Sequence, residues 1–199
     1  MIGSWDIKVT LGGMPQKIAT AFSDFNDKIL GAEYTPIAYL GSQQVNGINH
    51  AILAEQLLTT GKDVRNVVVI IFNEKEDKVI LSNIERVVTS GGEFGGIKID
   101  AKIDIPEDAT EALQKVLTGL VGVKIEPFAY LGQQVTKGTD YILAATVAPV
   151  TIDPEVKVAV IVANPMENKL YIKDILNSDN CLGYAFTWAT LGKPLGEWP

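Results

Sequence analysis

Pro36-Ile37-Ala38-Tyr39-Leu40-Gly41 is followed at once by Gln43-Gln44-Val45-Asn46-Gly47-Ile48-Asn49-His50. Pro127-Phe128-Ala129-Tyr130-Leu131-Gly132 is followed in the same way by Gln133-Gln134-Val135-Thr136-Lys137-Gly138-Thr139-Asp140-Tyr141. A shift of about 91 residues superimposes the two segments. Self-similarity at that period predicts one small structural unit built twice. In each copy a glycine-ended, glutamine-bearing loop lies between two apolar runs, so the loop is the first place to look for function.

The period of the apolar residues changes along each copy. Trp5, Ile7, Val9 and Leu11 alternate with polar residues, as do Ile97, Ile99, Ala101, Ile103 and Ile105. Period two predicts a strand with one buried face. Ile18, Phe22, Phe25 and Ile29 then recur at helical spacing, with Ala109, Leu113, Val116 and Leu120 at the matching positions. That spacing predicts an amphipathic helix of about fifteen residues per copy. Pro15 and Pro106 precede the two helices, suiting a first turn that needs no N–H, and Gly31 and Gly122 follow them. Four strands follow each helix. In the first copy they are expected at 34–40, 48–58, 66–73 and 79–88, the last two joined by the polar turn Asn73 to Lys78. In the second copy they are expected at 124–131, 139–148, 156–164 and 169–176. Short turns make neighbouring strands antiparallel.

The predicted class is therefore α+β: two tandem units, each an antiparallel sheet of four or five strands wrapped on one helix. Unit one is expected over residues 1–90 and unit two over 97–199, with a glycine-dense linker at 91–96. The stretch from Leu182 to Pro199 lies outside the repeat and carries Tyr184, Phe186, Trp188 and Trp198. It is expected to pack across a unit or cover a sheet edge.

Composition narrows the chemistry. A net charge of −7 argues against nucleic acid or an anionic membrane as partner, since phosphate recognition needs a basic surface. Cys181 is the one cysteine, which rules out an intrachain disulfide and points to a reducing, cytoplasmic setting. Catalytic and metal-binding patterns are missing. His50 is the one histidine, and it occupies the position held by Tyr141 in the second copy, which suggests a flat structural side chain. One histidine and one cysteine cannot make a Cys/His zinc site, and no cofactor motif is present. A non-enzymatic protein is expected.

In the order strand, helix, strand, Gln-x-Val-x-Gly, strand, the chain resembles the cystatin family of papain-like cysteine protease inhibitors. Unit one carries the motif as Gln43-Gln44-Val45-Asn46-Gly47. Unit two keeps Gln134 and Gly138, places Thr136 at the valine position, and continues as Gly138-Thr139-Asp140-Tyr141, near the family's Gly-Thr-Asn-Tyr. The resemblance implies reversible, noncovalent occlusion of a protease cleft by three aligned elements. In unit one these would be the N-terminal arm at Gly3, the Gln43–Gly47 loop, and a second loop at Asn73, Glu74 and Lys75. In unit two, Pro165 and Met166 stand at the second-loop position. The lack of disulfides is similar to the stefin branch, although stefins are single units. The alternative is a non-inhibitory protein-binding or scaffold module of the same architecture.

Overall fold

The computed structural model describes residues 3–59, 64–91, 96–177 and the backbone of 186–188. The chain divides into two compact units, Met1–Gly91 and Gly92–Pro199. Among the described residues the class is α+β, with two helices and two antiparallel sheets.

Unit one runs β1 (Trp5–Leu11), α1 (Gln16–Lys28), β2 (Ala32–Gln44), β3 (Ile48–Leu58), β4 (Val64–Lys75) and β5 (Lys78–Thr89). Its five strands lie in chain order. The apolar stripe of α1 faces the sheet because Ile18 and Phe22 fall on one side of a 3.6-residue period. They pack on Tyr34, Tyr39, Ile52, Ala54, Val68, Ile70 and Phe72, with Phe25 and Ile29 at the margin. Phe72 meets Phe22 and Phe25 edge-on, at ring separations of 6.4 and 6.1 Å. Asn26 fixes the helix to the start of β2: its side chain accepts from the Tyr34 N–H at 2.9 Å and donates to the Tyr34 carbonyl at 3.2 Å. The other face of the sheet is apolar and buried too, at Leu40, Ala51, Leu53, Val67 and Val69. This is why β3 and β4 read as continuous apolar runs rather than alternating ones.

Unit two runs β6 (Lys98–Lys102), α2 (Glu107–Leu117), β7 (Val123–Thr136), β8 (Gly138–Pro149), β9 (Lys157–Asn164), β10 (Lys169–Asp174) and β11 (Phe186–Trp188). Ala109 and Leu113 of α2 pack on Tyr130, Leu143, Ile161, Leu170 and Ile172. The sheet has six strands rather than four or five, because β11 pairs with the outer edge of β10. Tyr184 and Trp198, also in that tail, lie outside the described residues, as do Cys181 and residues 92–95 of the glycine-dense segment.

Both units break their ladders at matching places. β2 shifts register at Pro36/Ala38 and Tyr39/Gly41, and β7 at Pro127/Ala129 and Tyr130/Gly132. At Gly41 (φ 149°) and Gly132 (φ 152°) the first strand of the unit lies directly against the glycine Cα. A Cβ on Gly41 would overlap the Asp6 carbonyl oxygen, and one on Gly132 the Lys98 carbonyl oxygen. The glycine ending both Tyr-Leu-Gly segments is thus a packing requirement. Ile7 pairs with Gly41 and Ile99 with Gly132, so the first strands correspond at a shift of 92 residues while their partners correspond at 91. Unit two has one residue fewer between that paired isoleucine and the N-cap proline, Ile99 to Pro106 against Ile7 to Pro15.

Several expected boundaries move. β6 stops at Lys102, and Ile103 is 48% exposed in a bend beyond it, so the alternation through Ile105 overstates that strand. The helices have 13 and 11 residues, shorter than the apolar stripe suggests. Ile29 sits at the α1 C-cap, and Leu120 lies beyond α2. Pro15 and Pro106 are extended N-cap residues (ψ 137° and 146°) rather than members of the first turn.

Candidate functional site

Gly3, Gln43 and Asn73 meet at one end of the unit-one sheet. The register sets Trp5 opposite Gln43, Gln43 opposite Asn49, Asn49 opposite Asn73, and Asn73 opposite Ile80. One row of residues therefore crosses all the strands, and it is tied by amide side chains. Asn73 Nδ2 donates to Asn49 Oδ1 at 2.7 Å, and Asn49 Nδ2 donates to Gln43 Oε1 at 3.2 Å. Gln43 Nε2 then donates to the carbonyl of Gly3 at 2.7 Å. With strands about 4.8 Å apart, the chain of bonds spans β4 to β1 over roughly 14 Å. All three amides donate toward β1, and Asn49 and Gln43 accept from the β4 side, so the ladder has a direction.

Beyond this row lie the two hairpin turns. Gln43 and Gln44 belong to β2, so the connection to β3 is Val45-Asn46-Gly47 alone, narrower than the motif. Asn46 (φ 46°) and Gly47 (φ 113°) carry the reversal. A Cβ on Gly47 would sit 2.7 Å from the Glu74 carbonyl oxygen and about as close to the Asn73 side chain. The adjacent hairpin thus demands glycine there, whatever else the loop does. Val45 at the tip is 44% exposed.

The second loop is also shorter than expected. Asn73, Glu74 and Lys75 are the last residues of β4, and the turn is only Glu76-Asp77, both at positive φ (49° and 63°). Such a type I′ reversal matches the sheet twist. Its charged sequence reads as an open loop because neither residue is glycine or asparagine. Lys75 Nζ donates to Asn46 Oδ1 at 2.9 Å, linking the two hairpins. Lys17 of α1 bonds Glu74 at 2.8 Å and Asp77 at 3.0 Å, linking the second hairpin to the helix.

His50 lies behind this row, 7% exposed, on the helix-facing side of the sheet. Its Nδ1 is 2.9 Å from the Tyr39 hydroxyl. Its Nε2 is 3.4 Å from Glu74 Oε2 but makes no well-formed hydrogen bond. Burial lowers the His50 pKa, opposed by the Glu74 carboxylate. Glu74 is itself held below the usual carboxylate range, first by its hydrogen bond from Lys17. The imidazole is enclosed and neutral, a core side chain.

Unit two solves the same junction differently. Gln134 and Thr136 lie in β7, Gly138 opens β8, and Lys137 alone stands between the strands. Asp140, in the place of Asn49, is 4% exposed and needs donors. It receives them from Asn164 Nδ2 at 2.7 Å, Thr136 Oγ1 at 3.2 Å and Lys169 Nζ at 3.3 Å. Thr136, at the position of Val45 in unit one, thus supplies one of the donors to this buried carboxylate. Pro165 and Met166 lie in the β9–β10 turn, where Asn164 Oδ1 accepts the Met166 and Glu167 N–H groups at 2.9 and 3.1 Å. Met166 packs over Gly138, whose added Cβ would lie 2.9 Å from the Met166 Cβ. Tyr141 occupies the His50 position and donates to Asp108 at 3.1 Å. Burial, followed by nearby Asp100 and Asp108, raises Tyr130 to about 12.

Sequence reading picked out Gly3, the Gln43–Gly47 loop and Asn73. It missed Asn49, which joins them, and Lys17, which braces the second hairpin. Asn49 carried a usable signal, since an amide two residues after the turn glycine falls in register with Gln43. Lys17 carried none, being 57 residues from Glu74. Among the described residues no three His, Cys, Asp or Glu side chains are grouped to share a metal ion. Among them, too, no helix is long and apolar enough to cross a membrane. Comparison with family models, curated proteins and solved structures finds no match to this chain.

Proposed function

We propose that the chain is an internal duplication of a cystatin-like unit, and that unit one is a reversible, noncovalent inhibitor of a papain-like cysteine protease. The observation that carries this reading is the amide ladder from Gly3 through Gln43 and Asn49 to Asn73. It sets the N-terminal arm, the Val45–Gly47 turn and the Glu76–Asp77 turn along one end of one sheet. A cleft blocker needs such an edge. An exposed apolar tip enters beside the catalytic thiol, and its backbone is held so that no scissile bond reaches that thiol. The bonds from Lys75 to Asn46 and from Lys17 to Asp77 limit the freedom lost on binding. No catalytic step by the protein itself is involved.

Unit two is the scaffold copy in this reading. Its first connection is clamped against the second by Asn164 and Asp140, and Met166 lies over Gly138. The test is a pair of substitutions outside the folding requirements of either turn. Val45→Asp, at an exposed tip, should weaken papain inhibition by at least about tenfold, the ~1.4 kcal/mol expected for losing one buried apolar anchor. Val135→Asp, 68% exposed in unit two, should leave inhibition unchanged. Equal effects of the two would exclude unit one as the inhibitory copy.

A second reading, a protein-binding module that inhibits nothing, draws support from the charge of the second hairpin. Lys75, Glu76, Asp77 and Lys78 offer no aromatic anchor to a cleft. Affinity capture that recovers a non-protease partner, together with unimpaired papain activity, would favour it.

A further inference from the structure

Among the described residues no strand covers the outer edge of the unit-one sheet, whereas the corresponding edge of unit two carries one. β5 stands against β4 as β10 stands against β9. In unit two β10 carries β11 on its far side, with Leu170 opposite Trp188, Tyr171 opposite Thr187 and Ile172 opposite Phe186. In unit one no described strand pairs with β5. An edge of that kind presents backbone donors and acceptors that a further strand can satisfy.

Beside that edge runs a groove of about 510 Å³ between α1 and β5. Phe25, Phe72, Val79 and Leu81 contribute its apolar lining. Lys17 and Lys28 face Asp24 and Asp77 along it, so its charges cancel and favour an uncharged occupant. Leu81 remains 41% exposed. The ladder also limits where a strand can add. Phe72 pairs with Leu81 and Ile71 with Asn83, which leaves Ser82 as a bulge residue; Val87 is left over in the same way. Bulges disrupt an edge for pairing. Two four-residue stretches stay regular, Lys78–Leu81 and Asn83–Arg86, and only the first lines the groove, through Val79 and Leu81; it is long enough for a contact like the three-residue β11.

We propose that unit one binds an uncharged extended peptide with apolar, preferably aromatic, side chains at alternate positions. The peptide lies as a sixth strand along Lys78–Leu81, with alternate side chains entering the groove between β5 and α1. Main-chain bonds to the edge supply affinity, and the groove selects the side chains. The chain itself contains a segment of this chemistry, Gly183-Tyr184-Ala185-Phe186-Thr187-Trp188-Ala189-Thr190-Leu191, which is uncharged and alternates aromatic with small residues. This inference does not require protease inhibition, because the pairing edge Lys78–Leu81 lies beyond the Glu76–Asp77 turn, although the groove shares Lys17 and Asp77 with that hairpin.

The test is fluorescence anisotropy of a labelled synthetic peptide of residues 183–191, titrated with the full chain. Saturable binding is expected. Leu81→Glu should weaken it at least about tenfold by placing a charge where an apolar side chain docks. Leu30→Glu, 94% exposed and outside both the edge strand and the groove lining, should leave it unchanged and controls for the added charge. A peptide with the aromatic residues made adjacent, and one methylated on alternate backbone amides, should both lose binding. Lack of binding by the native peptide overturns the proposal. So does binding that ignores Leu81→Glu, which would place the peptide elsewhere, for instance on β10 in exchange for β11. Binding that survives amide methylation overturns the strand-pairing geometry.

Discussion

Replacing Gly41 by alanine should release the N-terminal half of β1 while leaving the rest of unit one folded. Gly41 has φ 149°, and its Cα faces the β1 backbone so closely that a Cβ would overlap the Asp6 carbonyl oxygen. The same Cβ would lie 3.1 Å from the Asp6 carbonyl carbon and from Ile7 Cα. These are backbone atoms, so no side-chain rotation relieves the overlap. If β1 stays in place, the strain costs about 1–3 kcal/mol for the dihedral alone, before the overlap is added. If β1 leaves, the pairing of Trp5, Asp6 and Ile7 with Gln43, Ser42 and Gly41 is lost, together with the Gln43–Gly3 bond. At about 1 kcal/mol net per hydrogen bond, either route costs roughly 2–4 kcal/mol. That is a large share of the ~5–15 kcal/mol typical of a domain. Gly13→Ala is the control, since its Cβ would meet nothing within 4 Å and its φ is not left-handed. Its expected cost is below about 0.5 kcal/mol. Urea unfolding gives the energies, and amide hydrogen exchange shows where they act. Loss of protection at Asp6 and Ile7 with β3 and β4 still protected is the expected pattern. Equal stabilities of the two variants, with Asp6 and Ile7 still protected, would refute the close-approach reasoning.

Other consequences follow from single groups. Asn49→Asp replaces the ladder's central amide with an acceptor-only carboxylate. Asn73 can still donate to it, but Gln43 must turn its NH2 inward and present an oxygen to the Gly3 carbonyl, so exchange at Trp5 should rise while Asn73 stays ordered. Unchanged exchange would mean the ladder does not hold the arm. His50 has a folded pKa below its unfolded value of about 6.5. The unfolded chain therefore binds the proton more readily, and the stability that His50 contributes is present above that pH and lost as pH falls through the folded pKa. The melting temperature should thus fall on acidification below about pH 6.5, and His50→Gln should flatten that part of the profile. An unaltered profile would place the titration elsewhere. Glu76→Asn with Asp77→Gly supplies the residues a type I′ turn prefers. Because it loses only an ion pair to an Asp77 carboxylate that is 93% exposed, it should stabilise unit one by about 1 kcal/mol in thermal unfolding. A lower melting temperature would show that the turn is not under conformational strain.

Much of the architecture is legible because it rests on periodicity and on glycine. Tyr-Leu-Gly marks a strand whose neighbour comes too close for a Cβ, and the alternation in Trp5–Leu11 gives β1 its bounds. Strand ends were harder. Gly41-Ser42-Gln43-Gln44 continues β2 although nothing in it alternates, because its backbone pairs with β1 on one side and β3 on the other. Propensity says little about a strand held from both edges. The second hairpin was misjudged for a similar reason: tight pairing of Asn73, Glu74 and Lys75 is set by β5, not by their own polarity. The difference between the loops had a cause outside the loops. Thr136 stands where unit one has Val45 and donates to the buried Asp140, and burial is a property of three strands together. Lys17 and Glu74 meet only because α1 crosses the sheet, a relation that no local pattern carries.

The most direct test of the proposed function is titration of papain with the full folded chain, read as steady-state hydrolysis of a small peptide substrate. The prediction is complete inhibition that substrate relieves competitively and dilution reverses, with the inhibitor recovered uncleaved. Full protease activity at tens of micromolar chain, with folding verified in the same sample, would contradict it.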